Sequence, residues 1–361
     1  MIVSSRYPTQ RGVALITALL VIALVTAAAV AMASRQQLDI RRTANTLQRD
    51  QAYVYAEGAE IMARAVLAKD DPAIDEKEEP WAQSGVTIPF QGGLLTGTLE
   101  DLQGRFNVNN VVKGGVKYKP DADRFTRLLA ILKGNSQKSP DNDVWKNAEP
   151  SDLANAVVDW IDGDSNVTPP GGAEDSDYLQ LERPYRAGNA PMSSTSELLL
   201  VRGFTPAIYR EVAPYITALT DRTMINVNTA RFDVLRALDN DPKCVDVSKM
   251  GREDVASPVG ATADTTKAKP QPFRKVDEFV IAVTCAFADF KPLKPAPAGT
   301  PAPQTPQEDF SEVLSINTNY FQVNAYAEVG PEEHRVKVKL YSVLQRKTGK
   351  IATISRAQGF E

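Results

Sequence analysis

Between Arg11 and Arg35 the chain runs for 23 residues without a charged side chain. Wound as a helix at ~1.5 Å per residue, this run spans ~34 Å, enough to cross a bilayer core of ~30 Å. A cleaved secretory signal has a shorter apolar stretch, roughly 7–15 residues, before a small-residue cleavage site. Here the run is too long for that pattern, although Ala27 to Ala33 imitate such a site. The segment reads as an N-terminal membrane anchor.

The helical pattern does not stop at Arg35. No proline occurs between Arg35 and Pro72, and Leu38, Ile40, Ala44, Leu47, Ala52, Tyr55, Ala59, Met62 and Val66 recur at three- and four-residue steps with small offsets. That spacing predicts an amphipathic helix with those residues on its apolar face, continuous with the anchor and roughly 55 residues long in total.

The remaining composition excludes more than it proposes. The formal net charge is −4, which argues against a broad nucleic-acid surface. The single histidine, His334, leaves no His cluster for zinc and no evident catalytic histidine. There is no Walker loop, Rossmann fingerprint or G-x-S-x-G elbow, so no enzymatic activity is expected.

Strands are expected in two places. Leu95, Gly97, Leu99 and Asp101 alternate with Thr96, Thr98 and Glu100 in the first. Three more follow near the C-terminus, in YFQVNAYAEV, RVKVKLYSVLQR and KIATISR, separated by Gly330-Pro331 and by a hairpin turn at Thr348-Gly349. Between the two places lies an insertion of roughly 200 residues with a helical pattern. DADRFTRLLAILKGN is periodic, and PSDLANAVVDWIDGD starts at a candidate N-cap, Ser151, and carries Leu153, Ala156, Val157 and Trp160 on one face. STSELLLVRGFTPAIYREVAPYITAL reads as helix, glycine turn, helix, and NVNTARFDVLRAL as a further capped helix. The expected class is α+β: a long N-terminal helix packed on a small antiparallel sheet, with a large inserted domain that is mainly helical.

One stretch of the insertion concentrates charge. DWIDGDSNVTPPGGAEDSDY holds six acids in 19 residues: Asp159, Asp162, Asp164, Glu174, Asp175 and Asp177. Carboxylates brought together gain from a hard cation with six to eight oxygen ligands. Asp162, Asp164 and Asn166 stand at the first, third and fifth positions of an EF-hand loop. Val167 then replaces the turn glycine and Ala173 the twelfth ligand, so an ordinary EF-hand is excluded. Two readings stay open on the residues alone: a cation site, or a solvated loop whose aspartates cap neighbouring helices. The paired helices also raise helix-hairpin-helix DNA binding. VRGFT offers one glycine where such loops have two, and Glu174, Asp175, Asp177, Glu182 and Glu197 surround it, so no nucleic-acid partner is expected.

A short basic leader ending in Gly12, followed by an apolar helix that turns amphipathic, resembles the N-terminus of type IV pilins and pseudopilins. The resemblance implies cleavage by a prepilin peptidase after Gly12 and methylation of the new N-terminus, Val13. It also implies a glutamate at the fifth mature position, where this chain has Thr17; no acid occurs before Asp39. In a filament that carboxylate pairs with the ammonium of the subunit above, since a bare charge in a water-poor bundle is costly. A subunit with nothing above it has no ammonium to meet, so Thr17 fits a filament tip.

The ordered set GRFNVNN, VVDWIDGDSN, GAEDSDYLQLERPYRAGNAP, SELLLVRGFT and INVNTA, standing after such a helix, closely resembles the protein K family of minor pseudopilins of type II secretion systems. The resemblance implies a pilin-like fold divided as a leader (1–12), a transmembrane and amphipathic helix (13–70), a first sheet part (71–114), an inserted helical domain (115–270), a connecting segment with a Pro-rich linker (271–310) and a second sheet part (311–361). It implies an inner-membrane protein with its C-terminal head in the periplasm, which caps the pseudopilus together with the minor pseudopilins I and J, contacts the shaft, and takes part in export of folded proteins across the outer membrane. It also implies calcium in the acidic stretch, with Asp162, Asp164, Glu174 and Asp175 the expected side-chain ligands. In such an oxidising compartment Cys244 and Cys285 are disulfide candidates, closing a loop of about 40 residues worth roughly 4 kcal/mol on the chain-entropy model; two buried free thiols are the alternative. ASPVGATADTTKAKPQP and KPLKPAPAGTPAPQTPQ read as flexible linkers. The competing function is a membrane-anchored periplasmic binding protein for secreted substrates, outside any filament.

Overall fold

The computed structural model describes residues 11–83, 85–90, 92–137, 144–238, 272–282, 310–331, 333 and 335–359. Cys244, Cys285, the leader up to Gln10, and both linker-like stretches apart from Pro272 lie outside the described residues.

Helix α1 runs unbroken over Arg11–Leu67. Its first half exposes apolar side chains on every side, among them Leu15, Ile22, Leu24 and Met32. A helix that is apolar all round suits a lipid environment and is long enough to cross one. Its second half packs on a five-stranded antiparallel sheet in the order β1 (Val86–Phe90), β2 (Gly93–Asp101), β3 (Tyr320–Val329), β4 (Val336–Lys347) and β5 (Lys350–Gly359). The alternation read from the sequence sets the register: along β3 and β4 every second residue is buried against α1. Thr348 and Gly349, with φ of 51° and 75°, close the β4–β5 hairpin as expected.

The buried face of α1 is a stripe of small residues: Ala52, Ala56, Ala59 and Ala63, ending at Leu67. Gly97 of β2 lies beneath this stripe, where an added Cβ would stand 3.7 Å from the Ala59 Cβ. The expected face shares only Ala52 and Ala59 with this stripe. Met62 and Val66 are 48% and 43% exposed, and Leu47 is exposed too. Alanine lets the helix backbone approach the sheet, whereas the larger side chains fall to its flanks.

β2 and β3 are neighbours, with Asp101 paired to Phe321, yet the chain between them is the inserted head. The head leaves and rejoins the sheet at the end where Ala63 and Leu67 pack with Phe321, Val323 and Leu344. The opposite end, with Val329 and Val338, lies against Ala52 and Ala56, nearer the apolar half of α1. The head is thus carried at the end of the rod remote from the apolar half of α1.

One hydrophobic core organises the head. It draws on Phe106, Val108 and Val111, on α2 (Lys119–Ser136) and α3 (Pro150–Ile161), and on Phe279, Val280 and Leu314. The head therefore starts before residue 115, inside the segment assigned above to the sheet, and takes in parts of the segment assigned as connecting. Residues 102–111 form two short 3-10 turns on either side of a two-residue strand, Phe106–Asn107, and this irregular backbone carries no periodic signature. Leu153, Ala156, Val157 and Trp160 of α3 are buried as expected, but its N-cap is Glu149 with Pro150 following, not Ser151. The first helix of the expected helical pair is a 3-10 turn, Thr195–Leu200; Gly203 (φ 86°) then turns the chain into a short helix, α5 (Pro206–Val212). The one-turn helix α4 (Asp175–Tyr178) precedes them, and the last expected helix shrinks to α6 (Phe232–Arg236).

Candidate metal centre

α3 ends at Asp162, whose backbone turns out of the helix at ψ 168°. The following loop folds back over α3 because two glycines permit it. A Cβ on Gly171 would stand 2.3 Å from the Asp152 Cβ, and one on Gly172 would stand 2.2 Å from Asp159 Oδ2 and 2.4 Å from the Thr168 carbonyl. Gly171 also has φ 74°, a region open to glycine. The return of the loop brings Glu174 over Asp162 and Asp164. One oxygen from each of these three carboxylates lies within 4.8 Å of the others.

The electrostatics there are unbalanced. Asp162 and Glu174 are both buried, and Asp162 Oδ1 and both Glu174 oxygens have no hydrogen-bond partner. Burial, then the charges of Asp164 and Asp159, pushes Asp162 up to about 6. Burial, then Asp159, Asp162 and Asp164, pushes Glu174 up to about 7. Unpartnered buried carboxylates of this kind are otherwise rare. Their oxygens, facing one another, match the hard-donor set of a calcium ion.

The other three acids hold the loop in shape. Both oxygens of fully buried Asp159 lie 3.0–3.2 Å from the Thr168 amide. Asp175 accepts from the Ala187 amide at 2.8 Å and pairs with Arg186 at 3.7 Å. Asp177 accepts from Arg202 at 2.9 Å and from the Glu174 amide at 3.2 Å. Of the six acids, the structure therefore gathers Asp162, Asp164 and Glu174 and sets Asp159, Asp175 and Asp177 in supporting bonds. Tyr178 packs edge-on against Trp160 beneath this loop, with centroids 5.3 Å apart.

At the N-terminus, Gly12 and Val13 stand in the first turn of α1. The Thr17 hydroxyl donates to its own helix, with the Val13 and Ala14 carbonyls 3.1 and 3.0 Å away, so it needs no outside partner.

Two networks carried no signal in the sequence. The asparagines of GRFNVNN act as backbone clips: Asn107 donates to the carbonyls of Leu219 and Asp221 and accepts from the Leu219 amide, and Asn109 clips Met192 in the same way. The second network joins rod to head. Arg346 of β4 donates to Asp70 and Asp75 just after α1, Asp75 accepts from the Thr318 amide, and Asn226 reaches both the Asp75 carbonyl and Asp101. Only a polar run such as FNVNN hints that these side chains are buried.

A long helix, apolar then amphipathic, laid on an antiparallel sheet defines a pilin-like fold with a candidate membrane anchor, here with a large head inserted between β2 and β3. The family model for type II secretion system (T2SS) protein K matches residues 104–221. The chain is 34% identical to type II secretion system protein K of Pseudomonas aeruginosa over 97% of its own length and 93% of that protein's. It is 30% identical to the protein of that name from Aeromonas hydrophila, over 97% of each chain. A chain in the crystal structure of the GspK-GspI-GspJ complex from enterotoxigenic Escherichia coli superposes with a TM-score of 0.63 at 21% identity, covering 89% of this chain and all of that one. The chain belongs to the type II secretion system protein K family.

Proposed function

We propose that this chain is the minor pseudopilin at the tip of the type II secretion pseudopilus, held in the inner membrane by α1 with its head in the periplasm. The reading rests chiefly on where the head sits: at the end of the rod remote from the span, where its bulk opposes addition of a further subunit above it. Thr17, satisfied within its own helix, fits the same place. The similar chain from Escherichia coli is described in a complex with GspI and GspJ, and minor pseudopilins I and J are the partners proposed here, with the shaft below. In this role the protein takes part in export of folded proteins across the outer membrane by assembly, with no catalytic step of its own.

Prepilin peptidase processing between Gly12 and Val13, with methylation of Val13, is the proposed route into the filament. Calcium is the proposed resident ion, held by Asp162, Asp164 and Glu174, with Asp159, Asp175 and Asp177 fixing the loop around it. Its charge would relieve the repulsion among carboxylates that otherwise lack partners.

The test is co-purification from membranes of a strain expressing the I and J proteins, with intact-mass measurement of the captured chain. Capture of both partners by a chain starting at methylated Val13 supports the reading. A chain starting at Met1, or one that captures neither, would leave a membrane-anchored binding protein instead.

A further inference from the structure

The segment that leaves α1 carries a second group of acids, at the junction of rod, sheet and head. Asp70, Asp75 and Glu79 each bring one carboxylate oxygen within 4.8 Å of the others. Asp75 is fully buried: its Oδ2 accepts from the Thr318 amide at 2.7 Å and from Arg346, while its Oδ1 is buried without any partner. Asp70 accepts from Arg346 at 3.0 Å through Oδ2. Glu79 uses Oε2 to accept from the Trp81 indole at 2.7 Å and the Glu76 amide at 2.9 Å. The described hydrogen bonds of each acid thus occupy one oxygen and leave the other.

Charge makes the same point. Arg346 pairs with both Asp70 and Asp75, and buried Asp101 adds its own negative field at Asp75. A surplus of negative charge in a buried place calls for a counter-charge. Three hard oxygens held close together, one of them buried and unpartnered, match a divalent cation with loose, oxygen-rich coordination; magnesium, which keeps several waters and near-ideal octahedral geometry, fits less well. We propose that Asp70, Asp75 and Glu79 form a calcium site at this junction, separate from the loop after α3. An ion there would pin the end of α1 to the segment through which the head rejoins β3.

The indole of Trp81 touches Glu79, so a lanthanide bound at the junction is excited through Trp81. The test uses the full chain in detergent, with the loop silenced by Asp164→Asn and Glu174→Gln. Tryptophan-sensitised terbium emission should persist in this loop variant and fall about tenfold or more when Glu79→Gln or Trp81→Phe is added. Calcium counted by equilibrium dialysis should be two equivalents in the native chain and one in the loop variant. A native chain that binds one equivalent, unaltered by Glu79→Gln and abolished in the loop variant, overturns the proposal. A loop variant that still binds as the native chain does counts against the loop site, and then loss of binding on Glu79→Gln upholds the junction site whereas unaltered binding overturns it. Should Glu79→Gln fail to fold, native chain against loop variant decides: two against one upholds the site, one against none removes it.

Discussion

Arg356, in the last strand, donates from Nε to Glu60 Oε2 at 3.0 Å and from a terminal guanidinium nitrogen to Oε1 at 3.1 Å. Glu60 is 2% exposed beneath the sheet and also accepts from Ser342 at 2.7 Å and Thr353 at 2.5 Å. The pair fastens β5 to α1 about two turns before the helix ends. Burial would raise the Glu60 pKa, but the hydrogen bonds from Thr353, Ser342 and Arg356 outweigh it and hold the carboxyl below its usual 4.5. A depressed carboxylate stabilises the fold above its unfolded pKa and loses that contribution as the pH falls through its folded value. Arg356→Met should therefore cost about 1–3 kcal/mol at neutral pH, and less once the pH is well below 4.5. Thermal midpoints of native and variant chains in detergent, taken at both pH values, check this; an equal loss at both would mean the arginine acts through packing.

The proposed calcium loop depends on Gly172 as much as on its ligands. Gly172→Ala places a methyl against Asp159 and the Thr168 carbonyl, and must push the loop away from α3. Calcium affinity should fall roughly 10–100-fold, as for other losses of support around a metal. Asp159→Asn should fall in the same range, because it disturbs the Thr168 contact without removing a ligand. Isothermal titration of each chain with calcium reads the effect; unchanged affinity in both would place the ion elsewhere.

Calcium should also raise the thermal midpoint of the native chain. An ion present at about 100 times its Kd adds about 2.7 kcal/mol to stability by mass action. Melting in chelator and in excess calcium measures this. Coincident curves would leave the three carboxylates as a plain acidic cluster.

Asn107 is 1% exposed and makes all its bonds to backbone. Asn107→Ala strands the Asp221 carbonyl and the Leu219 amide, while the Leu219 carbonyl keeps its bond from Asn109, and should destabilise the head by about 1–3 kcal/mol. Asn107→Asp should do no better, since it keeps the acceptor but cannot donate and buries a charge. Denaturant unfolding of the full chain distinguishes this from a decorative asparagine, which would show neither loss.

Thr17→Glu tests the tip argument. The native hydroxyl is satisfied by carbonyls one turn back, whereas a carboxylate within the apolar span would need a partner that a tip subunit lacks. Secretion and capture of the I and J proteins should be unchanged or modestly reduced. A clear gain would show that the position is a weakened shaft residue.

The loop after α3 shows how far a sequence can be read at a site. Six acids in one stretch marked the place, because charge density is visible in one dimension. Which three converge was not visible: that choice depends on Gly171 and Gly172 folding the loop onto Asp152 and Asp159 and on Arg186 and Arg202 engaging Asp175 and Asp177. The junction acids were missed altogether. Asp70, Asp75 and Glu79 look like an ordinary polar turn until Arg346, distant in the chain, arrives among them.

By itself the sequence determined the long helix, its uncharged first half, the alternating strands of the C-terminal sheet and the Thr348-Gly349 turn, since each depends on neighbours within a few positions and on a periodicity of 3.6 or 2. Tertiary structure alone decided which face of α1 is buried. There the close approach of Gly97 and the sheet selected Ala56 and Ala63 over the larger Met62 and Val66. It also decided where the head begins, because the turns from Leu102 to Val111 have no periodic pattern and are fixed by bonds and packing to residues more than a hundred positions away.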